Sequence, residues 1–134
     1  MFSPTVLALD GDLGFVFALS VELNKRHISL VPARTAREAR SLLVKLRLVP
    51  QVLVVNCSRP GACPLAEELG TEIPSLRIVA IVSDRYQCTK CASRIAARLR
   101  DPDDELPERI PFCADIIQEL VKARRRKSHQ AGID

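Results

Sequence analysis

Five cysteines stand out in this chain of 134 residues: Cys57, Cys63, Cys88, Cys91 and Cys113. Four of them fall into two spaced pairs, Cys57-x5-Cys63 and Cys88-x2-Cys91. The tighter spacing is typical of one half of a tetrahedral zinc site, in which four thiolates lie about 2.3 Å from the metal. An iron–sulfur cluster takes the same ligands. Two other fates are open to these side chains, a labile disulfide or service as small buried hydrophobes, and Cys113 suits the last of these best. The odd count and the lack of a secretory leader argue against a disulfide framework.

Enzymatic chemistry finds little to work with. No cysteine is followed by arginine at the C-x5-R spacing of a phosphatase loop. Cys88-Thr-Lys-Cys91 lies late in the chain, whereas thioredoxin-like proteins carry that motif early. The two histidines, His27 and His129, are far from any acid or nucleophile with which they could form a catalytic set. The expectation is a protein that is not an enzyme.

The elements that must position these residues follow an alternating order. Thr5–Asp10, His27–Ala33, Gln51–Asn56 and Arg77–Ser83 are short apolar runs, the last two apolar on both faces, and predict strands of a sheet covered on each side. Pro32 suits an edge position. Between the runs, Phe15, Val16, Leu19 and Leu23 recur at helical spacing, as do Ala39, Leu42, Leu43 and Leu46. Thr35 with Glu38 forms a capping box at the start of the second helix. Pro64 to Leu69 predicts a short helix, Thr89 to Arg100 a further one, Leu106 to Ile110 a fifth strand, and Phe112 to about Arg125 a last helix. Alternation of this kind implies a parallel sheet with helices on both faces and function at the carboxyl ends of its strands. Those ends are Asp10-Gly11-Asp12, Asn56-Cys57-Ser58, Ser83-Asp84 and Ile110-Pro111.

Composition narrows the partners. A hydrophobic fraction of 47% supports one core, and an aromatic fraction of 4% leaves little for base stacking. The net charge of +4 is carried by Lys122, Arg124, Arg125, Arg126 and Lys127, which leaves residues 1–121 neutral. Residues 1–125 are expected as one domain, and 126–134 as a basic flexible tail, solvated or touching a nucleic acid. With no leader and no apolar run near the roughly 18 residues of a membrane span, a cytoplasmic protein is expected.

In this order of elements the chain resembles the receiver domain of bacterial two-component response regulators, over nearly its whole length. The landmarks are Leu7-Ala-Leu-Asp10, Thr35-Ala-Arg-Glu-Ala39, Pro50-Gln-Val-Leu-Val-Val-Asn56-Cys-Ser-Arg-Pro60-Gly61, Ser83 and Ile110-Pro111-Phe112. The resemblance implies a flavodoxin-like (βα)5 three-layer sandwich with parallel strand order 2-1-3-4-5. It also implies phosphoryl transfer to an aspartate, assisted by Mg²⁺, a hydroxyl and a lysine. Here the residue at the acceptor position is Asn56, an amide that cannot form an acyl phosphate. The acidic pair is reduced to Asp10 and Gly11, with Asp12 as a partial substitute. Ile110 stands for the lysine, Pro107 for the aromatic switch, and Ser83 alone matches.

The expectation is therefore a receiver-like signalling module that is not phosphorylated, takes no Mg²⁺, and acts through contact with a protein partner. The remodelled segment from Asp101 to Arg109 is one surface for that contact, and pairing with a second copy of the chain is left open. In the receiver strand order the third and fourth strands are neighbours, about 4.8 Å apart. Cys57, Cys63, Cys88 and Cys91 would then crowd one end of the sheet. A thiol-based zinc or redox sensor is thus the second reading, and a DNA contact through the basic tail the third.

Overall fold

The apolar runs assemble as a parallel sheet whose two faces carry different sets of side chains. The computed structural model describes residues 4–82, 95–100 and 106–133. In chain order the elements are β1 (Thr5–Leu9), α1 (Leu13–Lys25), β2 (Ser29–Ala33), α2 (Ala36–Lys45), β3 (Val52–Asn56), α3 (Ala62–Glu72), β4 (Arg77–Val82), β5 (Ile95–Arg100) and α4 (Leu106–Ile133). The strand order is β2-β1-β3-β4-β5, with every pairing parallel. Pro32 lies on β2, an edge strand, where its missing N–H costs no central ladder bond.

Because side chains alternate along a strand, each apolar run feeds two cores. Val6, Ala8, Val52, Val54, Val79 and Ile81 face α1 and α4, meeting Phe15, Leu19, Leu23, Cys113 and Ile117. Leu7, Leu9, Leu53, Val55, Ile78 and Ala80 face α2 and α3, meeting Ala39, Ala62, Leu65 and Leu69. Strands buried on both sides explain why β3 and β4 read as unbroken apolar runs.

The helix ends are set by local chemistry. Asp12 caps α1 by accepting from the Phe15 N–H at 3.1 Å, and Thr35 caps α2 through the Glu38 N–H at 3.0 Å. Arg26, just past α1, donates from Nη1 to Asp115 Oδ1 at 2.6 Å and to Gln118 at 3.0 Å, and from Nη2 to Glu22 at 3.0 Å. These contacts tie α1 to α4.

The C-terminal third departs from the sequence-based expectation. Ile95–Arg100, expected as the end of a helix, is β5, and Leu106–Ile110, expected as the fifth strand, opens α4. Pairing with β4 overrides the helical propensity of Ala96, Ala97 and Leu99, while Pro107 is tolerated in a first helical turn where its N–H would be unpaired anyway. Helix α4 also continues through residues 126–133, where a basic tail was expected.

Candidate functional site

The carboxyl ends of β1 and β3 are adjacent in the sheet, Leu9 pairing with Val55, so the residues that follow them share one edge. Asp10 follows β1 directly and is 4% exposed, a buried carboxylate at the mouth of the sheet. Its Oδ1 accepts from the Asp12 N–H at 3.0 Å and from the Asn56 side-chain amide at 3.3 Å. Asn56 uses its other end as well. Its Oδ1 accepts from the Ser58 N–H at 3.0 Å and from the Ser58 hydroxyl at 2.6 Å, which folds the start of the following loop into an Asx turn.

The pairing is therefore carboxylate with amide. Two carboxylates at this separation would repel and call for a cation between them; an amide donor satisfies Asp10 without one. An amide nitrogen is no nucleophile, and both ends of this side chain are engaged in holding the turn. The arrangement is a fixed hydrogen-bonded clasp rather than a reactive site.

Beyond Ser58, Arg59 turns back over β1. A Cβ placed on Gly11 would lie 2.6 Å from the Arg59 Cζ and Nη1, so the guanidinium rests directly on the glycine backbone. Arg59 Nη2 also reaches the Arg34 carbonyl at 3.5 Å, while Nε is buried with no hydrogen-bond partner among the described residues. Gly61, with φ +76°, turns the chain into α3 close to α2: a Cβ there would meet that of Ala36 at 3.2 Å.

The other residues expected at this edge are placed differently. Asp12 is exposed, and its Oδ1 is engaged in capping α1. Ile110 does not follow a strand: it lies in the early turns of α4, 8% exposed, in the cluster with Phe15 and Val16. Ser83, Cys88 and Cys91 lie outside the described residues, as does most of the Asp101–Arg109 segment. Cys57, 8% exposed, packs with Val55 and Ala62, and Cys63 borders the same cluster from the first turn of α3.

Cys63 is disulfide-bonded, whereas Cys57 and Cys113 take no part in disulfides. A sulfur in a disulfide is not a thiolate, so a four-thiolate zinc site involving Cys63 requires the reduced protein. Among the described residues no cluster of three or more His, Cys, Asp or Glu is arranged to hold a metal. Cys113 is fully buried on the opposite face, and burial pushes its thiol up to about 12, against an opposing pull from the Arg109 guanidinium. Arg109 itself sits 4.4 Å from the centre of the Phe15 ring.

The sheet order, the two-faced core and the acid at the end of β1 recur in solved structures. A response regulator from Thermotoga maritima superposes with a TM-score of 0.71 at 14% identity, covering 90% of this chain and 99% of its own. The fold is that of a response-regulator receiver domain. The REC domain of AraT, a response regulator from Geobacillus stearothermophilus, gives 0.73 at 19% identity, over 92% of this chain and 99% of its own. A third structure, from a family described as redox sensors in the streptococci evolved from two-component response regulators, gives 0.75 at 16% identity. It is matched over 95% of this chain and 55% of its own. No protein-family model matches the chain, and no curated protein matches it in sequence.

Mg²⁺, which the receiver fold implies, does not fit the residues present. A hard divalent cation wants several oxygen ligands, usually carboxylates with water. Here Asp10 is occupied by two donors, Asp12 caps a helix, Asn56 offers a neutral amide, and a guanidinium covers position 11. Arg59 was not singled out from the sequence. Its charge and its place after the acceptor position were visible there, but its course across Gly11 depends on the Asx turn and on Gly61.

Proposed function

We propose that this chain is a receiver-like signal-transduction module that works without phosphorylation, by contact with a protein partner and not as an enzyme. The observation that carries the reading is the Asn56 clasp. The residue at the acceptor position is a neutral amide whose two polar ends are committed to Asp10 and to the Ser58 turn. An acyl phosphate needs a carboxylate oxygen as nucleophile, and Asn56 has none. A receiver fold stripped of that step keeps its surfaces, and fold and chemistry separate readily. On the outer side of α1, Leu13, Phe17 and Val21 recur every fourth residue and are 50%, 73% and 44% exposed, an apolar stripe that suits a protein contact.

The test is direct. Incubated with acetyl phosphate and Mg²⁺, the full chain should keep its intact mass. A base-labile gain of one phosphoryl group would overturn the reading.

A second reading, a thiol-based redox sensor, is supported by the disulfide at Cys63, five residues beyond the edge of the Asn56 turn, and by the structural likeness to the streptococcal redox sensors. Alkylation of the unfolded chain with and without prior reduction decides it. Reduction should expose two additional thiols, and the Cys63→Ser variant should lose that difference. An equal thiol count before and after reduction, across cellular redox potentials, would reject it.

A further inference from the structure

We propose that Arg59 is a built-in cation at the carboxyl edge of the sheet, standing where the receiver fold would otherwise take a divalent metal. The inference rests on the phosphorylation-independent reading and extends it from the acceptor residue to the electrostatics of the whole edge.

Three observations carry it. The guanidinium lies against the backbone of Gly11, the residue next to the buried Asp10, at a distance that leaves no room for a side chain. Its position is held from both sides: the Arg59 N–H donates to the Asn56 carbonyl at 3.0 Å, and Nη2 reaches the Arg34 carbonyl. Finally, Gly11 and Asn56 are complementary to it. A glycine at position 11 admits the guanidinium, and an amide at 56 leaves a single buried carboxylate at this edge, which one positive charge can balance. A divalent ion brought to the same place would meet a fixed positive charge and too few oxygen ligands.

Arginine suits this position because its guanidinium is planar, permanently charged and weakly hydrated, and so can lie flat on a peptide. Its far end is also mobile, so a new side chain at position 11 would displace it without breaking the fold. The site is thus separable by mutation into its acids and its cation.

The experiment uses the full chain with Mn²⁺ as probe, followed by electron paramagnetic resonance and by the melting temperature. The wild-type protein should show no saturable Mn²⁺ binding and no thermal shift. In Gly11→Asp/Asn56→Asp, three acids meet while Arg59 remains, and Mn²⁺ binding should stay weak. Adding Arg59→Ala should tighten it by about tenfold or more, whereas adding Arg59→Lys, which keeps the charge, should leave it weak. Saturable Mn²⁺ binding by the wild type, or equal affinities with and without Arg59, would overturn the proposal. If the acidic variants fail to fold, Arg59→Gln in the wild-type background remains decisive: a Mn²⁺-dependent thermal shift should appear only there, and its absence refutes the idea. Phosphorylation of the wild type by acetyl phosphate would instead sink the reading on which the inference rests.

Discussion

The side-chain amide of Asn56 donates to Oδ1 of Asp10 across 3.3 Å, from the end of one central strand to the end of its neighbour. That single bond replaces two repelling carboxylates by a donor and an acceptor. It lets a carboxylate sit almost fully buried while its partner also folds the next loop, and it makes the edge a structural joint.

Asn56→Asp should therefore destabilise the protein at neutral pH by about 1–3 kcal/mol, the usual consequence of leaving a buried acceptor unsatisfied beside a like charge. The sign follows from linkage. Repulsion from Asp10 raises the carboxyl pKa of the pair in the folded state, so the variant's stability falls as pH rises through that range. Urea midpoints should show the deficit shrinking near pH 4. Asn56→Ala, which adds no charge, should show a flatter deficit.

Arg26 joins Glu22 on α1 to Asp115 and Gln118 on α4, with the Asp115 hydrogen bond the main influence holding its guanidinium above the ordinary range. Asp115 is 66% exposed, so screening limits what the pair contributes. Arg26→Met should cost about 1 kcal/mol or less at low salt, and the difference from wild type should narrow in high salt. A salt-independent loss would point to packing of the side chain's methylenes instead.

The first two-thirds of the fold was legible in the sequence because its elements are locally consistent. Thr5–Leu9 and Val52–Asn56 are too apolar for anything but buried strands, and Thr35 caps as its spacing with Glu38 predicts. The reading failed where local propensity and tertiary pairing disagree. Ile95-Ala-Ala-Arg-Leu-Arg100 has helix-forming residues, yet it completes the sheet beside β4, and Ile110, placed at a strand end by analogy with Lys-Pro-Phe, belongs to α4. At the site, Asp10 and Asn56 were legible from their types and positions, because strand ends converge in a parallel sheet. Arg59 was not, because the direction of a long side chain after a turn depends on contacts between loops distant in sequence.

The helix ends offer another test. Both α1 and α2 close with a non-glycine residue in the left-handed region, His27 at φ +61° and Arg47 at φ +50°. In each, the next N–H returns to a carbonyl of the last turn, Ile28 to Leu23 at 3.0 Å and Leu48 to Leu43 at 3.1 Å. The closing motif requires that backbone, which a Cβ disfavours. Arg47→Gly should raise stability by about 0.5–1 kcal/mol, measured as a shift in the urea midpoint, while Arg47→Ala should not.

Cys113 gives the sharpest pH signature. It is fully buried between α4 and the sheet, in the cluster containing Phe15, Leu19 and Ile117, and takes no part in a disulfide. Desolvation of the thiolate raises its pKa to about 12, from a reference value of 9.0. Between those values the unfolded chain loses its proton and the folded chain keeps it. Its contribution is thus fully present below pH 9 and is lost as pH rises toward 12, with a slope of up to about 1.4 kcal/mol per pH unit. Cys113→Ala, nearly isosteric, should remove that part of the alkaline slope while leaving stability at pH 7 within about 1 kcal/mol of wild type. Iodoacetamide should not modify Cys113 in the folded protein at pH 8, because the thiolate is the nucleophile and the site excludes both ionisation and reagent. Rapid alkylation of Cys113 under native conditions, or an alkaline slope unchanged in Cys113→Ala, would show that α4 does not pack there as described.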